Sequence, residues 1–231
     1  MQKKYLKRLA RRLKKCIVIS IDSSIYEVYG NTREKSSMSY KHIFGFHPLL
    51  LHIHDTGELL DIIFRGGKEF TSPGAADMLE ANIRRLQPYF AEIILLGDAG
   101  FYEKSIIDVC EKNERKFTIT SEQNNPILNR LIDPELKWRG YKEPEHDQDD
   151  EANKRKSNTT NHRLEELNKA LSKKGKKLKV CGPFEVTEFE HTVAAWGREY
   201  RFVYKRQLIM EQTTKNQTEL FDETDEYFYR C

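Results

Sequence analysis

Paired cysteines are missing from this sequence. Its four cysteines, Cys16, Cys110, Cys181 and Cys231, lie far apart and form no CxxC. That excludes a zinc knuckle and a disulfide framework and fits reduced thiols in a cytoplasm. Long apolar runs are missing as well. After the basic start, the apolar run from Cys16 is broken at Asp22, too soon for a secretory signal, and no stretch approaches a membrane span. The acidic run "EPEHDQDDE" at 143–151 lacks the glycine and spacing of a calcium loop. Apolar residues are scarce at 38% against 32% charged, so a compact core with solvated, charged extras is expected in a soluble cytoplasmic protein.

Charge is present but uneven. The formal net charge is only +3, yet residues 1–15 carry eight Lys and Arg and no acid, and ten more lie between Lys154 and Lys179. Such patches suit a polyanion, and they equally suit solvated faces. Leu6, Leu9 and Leu13 recur at helical spacing among these cations, which predicts a basic amphipathic helix over 2–15.

The next run, "CIVISID" at 16–22, is continuous and β-branched and reads as a central strand buried on both faces. "YGNTREKSSMSY" at 29–40 is turn-rich. Residues 42–67 read as two strands joined at Asp55-Thr56-Gly57. A helix is expected from about Ser72, as N-cap, and Pro73, with Ala76, Leu79, Ile83 and Leu86 on one face. "EIILLGD" at 92–98, a helix over 102–113 and a strand at 116–122 follow. The order is that of a mixed α/β sheet. From 123 to 177 the character changes to a charged surface excursion, with one short helix over 162–173 and a disordered acidic stretch. Alternating strands are expected from 178 to 231, the last cut at Cys231.

Two of the predicted buried strands end in the same way, on a bare carboxylate. Asp22 closes "CIVISID" and Asp98 closes "EIILLGD". Ligands of open α/β sheets bind outside the carboxyl ends of strands, so if these strands are neighbours the two acids converge. Two adjacent carboxylates repel, and a hard divalent cation, Mg²⁺ or Mn²⁺, relieves that repulsion. Metal pairs of this kind clamp the attacking and leaving oxygens of a phosphodiester. Either acid taken alone is also explained as a loop or helix cap. Gly97 and Gly100 allow close backbone approach around Asp98, and Phe101 either packs under the turn or stacks on a base.

The segments "ISIDSSIYEVYG", "YKHIFGFHPLLLHIHDTGELLDIIFRGG" and "ILLGDAGFYEKSIIDVCEKNERKFTIT" resemble the catalytic domain of DDE transposases of bacterial insertion sequences, in the IS4-like superfamily. The resemblance covers about residues 16–122. It implies a ribonuclease H-like mixed sheet with flanking helices, interrupted by a β-rich insertion to which "WGREYRFVYKRQ" at 196–207 is similar. It further implies Asp22 and Asp98 as the first two metal-binding acids, Mg²⁺ or Mn²⁺ as cofactor, the element's terminal inverted repeats as DNA substrate, and a dimer in the full-length family. His47 stands at the family's "HPL" position, with a structural role beside the active site or a contact to DNA. Arg65 and Lys68, and Lys4, Arg8, Arg11 and Arg12 of the basic helix, are candidate DNA contacts.

The chain departs from the family in lacking the helix that brings a third carboxylate, a Glu. Glu165 or Glu166 would have to supply it. The expected organisation is a basic helix at 1–15, an incomplete catalytic core at 16–122, a charged loop at 123–177 and a β-rich insertion at 178–231, a transposase truncated at both ends and inactive alone. Two alternatives stand beside it: a non-catalytic DNA-binding transposon relic, and a phosphohydrolase with an aspartyl nucleophile, against which Ser24 counts because that class places an acid there. His52 and His54 fit half-exposed strand histidines better than metal ligands, and Trp138 and Trp196 fit packing.

Overall fold

The computed structural model describes residues 3–30, 33–121, 124–142, 169, 176–213 and 227–230, with side chains up to 142, at 169 and over 183–207. The acidic run 143–151, the helix expected over 162–173, Glu165, Glu166 and Cys231 lie outside the described residues. Two compact units divide the chain, Met1–Gln123 and Asn124–Cys231.

The first unit is built on a five-stranded sheet. Its strands are β1 (Cys16–Ser23), β5 (Leu49–Ile53), β6 (Leu59–Ile63), β7 (Glu92–Gly97) and β8 (Lys116–Ile119), in the order β6-β5-β1-β7-β8. Only β5 runs against its neighbours; β1, β7 and β8 are parallel. This is the mixed α/β sheet that the order of elements predicts. Helices α1 (Lys3–Arg12), α2 (Ala75–Leu86) and α3 (Lys104–Lys112) bury Leu6 and Leu9, then Leu79 and Ile83, then Ile106 and Cys110, in one core with Ile17, Ile19, Ile21, Leu51, Ile93 and Leu95 of the sheet.

The sheet departs from the expected pattern in one respect. β1 is central, but its burial alternates: Ile17, Ile19 and Ile21 are buried, whereas Val18 and Ser20 are half-buried and Asp22 is exposed. The run of β-branched residues conceals this, because Val18 on the less covered face is as apolar as its neighbours.

Two further differences have local causes, and Phe101 takes the first of the two roles expected for it, packing under the turn. Pro48 cannot continue a ladder, so residues 42–67 make three strands, not two. The first, β4 (Phe44–Phe46), leaves the main sheet and pairs with β2 (Tyr26–Glu27) and β3 (Ser37–Met38) in a small sheet ordered β2-β4-β3. Helix α2 starts at Ala75 behind Gly74, which takes φ 82 and has no side-chain cap. Ser72 stands two residues before that cap position, and its hydroxyl donates to the Glu103 carboxylate. Phe101 is fully buried and has no face to offer a base.

Close backbone packing in the small sheet demands glycine. A Cβ at Gly45 would lie 1.9 Å from the Tyr26 carbonyl oxygen, and main chain cannot yield to it. Gly45→Ala is therefore expected to lower stability by at least about 3 kcal/mol, read as a fall in melting temperature, while Gly57→Ala meets open space and is limited to the modest strain of φ +67.

Cys110 is fully buried on α3. Burial first, and the Glu111 charge second, push its thiol from 9.0 up to about 12. Above about pH 9 the unfolded thiol ionises while the folded one keeps its proton, so the unfolded state binds fewer protons and stability falls as pH rises. Urea midpoints are expected to decline between pH 9 and pH 11 by more in the natural chain than in Cys110→Ala; equal declines would contradict this. Native Cys110 is also expected to resist iodoacetamide at pH 8.

The second unit pairs β10 (Lys176–Val193) with β11 (Arg198–Thr213), flanked by β9 (Arg139–Tyr141) and β12 (Tyr227–Arg230) in the order β12-β11-β10-β9. Pro183 is tolerated inside β10 because the register shifts between Cys181 and Phe184. Segment 124–142, expected as a charged loop, instead forms α4 (Asn125–Leu131), capped by Asn124, and the edge strand β9. Ile127 and Leu131 pack with Phe189, Phe202 and Tyr204. At seven residues, with Ile127, Leu128 and Leu131 as its large apolar side chains, the helix is too short to show a clear period. Trp138 packs as expected, under the Arg206 guanidinium at 3.8 Å. Among the described residues no helix is long and apolar enough to cross a membrane.

Candidate active site

β1 and β7 are in register, with Ile21 opposite Gly97. Asp22 and Asp98 are the next residues on the two strands, so they end neighbouring parallel strands side by side. Strand spacing sets their backbones about 5 Å apart. Both residues are exposed.

Each carboxylate is held by a local amide. Asp22 Oδ1 accepts the Ser23 N–H at 2.7 Å, and Asp98 Oδ1 accepts the Gly100 N–H at 2.9 Å, where it caps a 3₁₀ turn over Ala99–Phe101. The capping role anticipated for a lone strand-end aspartate is thus real, and it uses one oxygen of each. Among the described residues no ion pair reaches either acid. Two fixed, like-charged carboxylates without a protein cation form a donor set of hard oxygens that suits a divalent ion. Among the described residues no third Asp, Glu, His or Cys joins them.

His47 is not a surface group. At 1% exposure it lies behind Ser23, with Nε2 3.0 Å from Ser23 Oγ and Nδ1 2.8 Å from the Glu69 carbonyl. Its ring is enclosed next to the residue that follows Asp22 and presents no exposed face. Arg65 is also internal, at 9% exposure. Its Nε donates to the His47 carbonyl at 3.0 Å and its Nη1 to the carbonyls of Thr71 and Pro73 at 3.0 and 2.8 Å. Burial holds this guanidinium below its ordinary range, with the Glu69 charge opposing. Arg65 braces the main chain and is unavailable to a phosphate.

Lys68 is exposed, as are Lys4, Arg8, Arg11 and Arg12. Helix α1 feeds the first residue of β1, whereas Asp22 lies six residues further along it. At about 3.3 Å per residue the basic helix enters the sheet roughly 20 Å from the carboxylates. Arg12 also lies 3.9 Å from Glu58. His52 is half-buried and His54 exposed.

A family model for the transposase DDE domain, group 1, matches residues 1–218. No curated protein matches the chain. Among solved structures the chain is similar to the catalytic domain of the Mos1 mariner transposase, at 12% identity and TM-score 0.33, over 51% of this chain and 61% of that one. It is also similar to the piggyBac transposase in a synaptic complex with hairpin DNA, at 9% identity and TM-score 0.33, over 90% of this chain and 35% of that one. A Mos1 paired-end complex with the left transposon end is similar at 9% identity and TM-score 0.31, over 58% of this chain and 55% of that one. The chain therefore spans between 35% and 61% of the length of these solved transposases. At such TM-scores the likenesses carry no weight for the chemistry of the site.

Proposed function

The chain belongs to the DDE transposase family, and from that membership we propose that it is a DNA transposase domain that cleaves phosphodiesters and transfers strands with a divalent metal at the ends of an insertion sequence. The observation that carries the chemistry is the pair of amide-anchored carboxylates with no cation partner at the end of β1 and β7. Asp22 and Asp98 would hold Mg²⁺ or Mn²⁺ through the oxygens that the Ser23 and Gly100 amides leave over. Bound there, the ion supplies Lewis-acid stabilisation of the phosphoryl oxygens. The residues themselves orient the site: Ser23 and Gly100 fix the carboxylates, and the Ile21 and Gly97 register keeps them adjacent.

Substrate and assembly belong to the same proposal: terminal inverted repeats as DNA and a dimeric complex, as in the resemblance to the IS4-like branch. The exposed cations of α1 suit duplex phosphates at a distance from the cleaved bond, since the helix enters the far end of β1. The aspartyl phosphohydrolase alternative falls with the family membership. A second reading, a DNA-binding protein without catalysis, is favoured by one observation, that no third acid joins the pair among the described residues.

Nicking of a labelled duplex carrying the element's end separates the two. Cleavage that needs Mg²⁺ and stops with EDTA supports the enzyme. Binding that survives EDTA with no nick at any Mg²⁺ or Mn²⁺ concentration supports the second reading and removes the first.

A further inference from the structure

We propose that His47 and Arg65 are positioning residues, and that the segment from Arg65 to Pro73 is a brace that ties the Asp22 loop to the Asp98 loop and fixes where the two carboxylates stand. The consequence for metal rests on the two-carboxylate reading above; the brace itself does not.

The hydrogen positions follow from the partners. The Glu69 carbonyl only accepts, so His47 donates to it from Nδ1, and in the neutral ring Nε2 is then a lone pair. Ser23 Oγ must then donate to Nε2. This matters because Ser23 directly follows Asp22 and its amide anchors Asp22 Oδ1, so fixing Ser23 fixes that carboxylate. The imidazole tethers the half-buried Ser23 side chain and, with it, the amide that holds Asp22. The imidazole thus acts on Asp22 through Ser23, without touching metal or substrate.

The same imidazole is locked from the other side. Its backbone N–H donates to the Arg65 carbonyl at 3.1 Å, and Arg65 returns the bond to the His47 carbonyl and reaches on to Thr71 and Pro73. The Thr71 methyl lies against Gly100, where an added Cβ would stand 2.8 Å from it and 3.1 Å from Asp98 Oδ1. Gly100 is the residue whose amide anchors Asp98. Ser72 adds a bond to Glu103 beyond the same turn. An unbroken set of short contacts therefore runs from Asp22 through Ser23, His47, Arg65 and Thr71 to Asp98. All of it lies within the first unit, and β1 and β7 supply the only other connection between the two acids that the described contacts show.

The test uses the full chain and three variants: Ser23→Ala, His47→Phe, and His47→Gln, whose amide oxygen can stand where Nε2 does. Two readouts are taken, ¹⁵N NMR of the imidazole and of the Gly100 amide, and Mn²⁺ affinity by calorimetry. The expected imidazole is neutral with the proton on Nδ1. Ser23→Ala and His47→Phe are each expected to shift the Gly100 amide and to weaken Mn²⁺ by about tenfold. The double variant should be no weaker than either single one, because both break one path. His47→Gln is expected to restore affinity to within about twofold of the natural chain. Should His47→Phe fail to fold, Ser23→Ala, which deletes one oxygen, still decides. An unmoved Gly100 amide, or losses of Mn²⁺ affinity that multiply in the double variant, overturns the brace. A natural chain that binds no Mn²⁺ while its Gly100 amide still responds to Ser23→Ala leaves the brace standing and removes the two-carboxylate reading.

Discussion

Asp98→Asn is expected to reduce Mg²⁺-dependent nicking by roughly 10²–10³-fold with no measurable change in stability. The asparagine side chain still has an oxygen to accept the Gly100 amide now bonded to Asp98 Oδ1, so the cap of the 3₁₀ turn survives while the negative charge is lost. Asp98→Ala should abolish activity to the same extent and in addition lower stability by about 1 kcal/mol, the usual worth of a lost side-chain cap. Asp22→Asn is expected to match Asp98→Asn, because the Ser23 amide bond can likewise be kept by an amide oxygen. The comparison isolates charge from geometry. Activity assays paired with urea titrations check it: nicking that survives in both asparagine variants would show that the acids are caps only.

Arg65→Met is the largest stability effect expected outside the glycines. The guanidinium is 9% exposed, serves the carbonyls of His47, Thr71 and Pro73, and has Nη2 buried with no hydrogen-bond partner among the described residues. Methionine fills much of the volume but leaves three carbonyls without donors. At about 1 kcal/mol or more for each stranded polar group, the loss comes to about 3 kcal/mol, a large share of the stability of an ordinary domain. Arg65→Lys should recover only part of it, since an ammonium on a flexible stem cannot reach in two directions as the planar fork does. Urea midpoints measure both. If Arg65→Met were as stable as the natural chain while DNA affinity fell, Arg65 would be a phosphate contact after all.

Both predictions concern residues whose types were plain in the sequence and whose roles were not equally plain. Asp22 and Asp98 announced themselves because each closes an apolar run, and a run of β-branched residues ending in a carboxylate is a local pattern. Likewise the leucines of α1 declared which face is buried, and its cations which face is not. Arg65 and His47 carried no such pattern. An arginine before two glycines reads as a solvated strand-end charge, and only its partners, main-chain carbonyls from three positions in the chain, make it a brace. The α4 segment escaped for a related reason: its few apolar residues acquire meaning only against the aromatic side chains of β10 and β11.

Local periodicity therefore determined the strands of the main sheet, the helices α1 to α3 and the two carboxylates, because hydrophobic alternation acts between near neighbours in the chain. Tertiary structure alone decided that β1 lies beside β7, that Ile21 stands opposite Gly97, and that the imidazole and guanidinium turn inward. Parallel pairing joins segments some seventy residues apart, and buried polar groups must find whatever donors and acceptors the closed fold brings to them. Neither constraint is written in the order of residues over any short window.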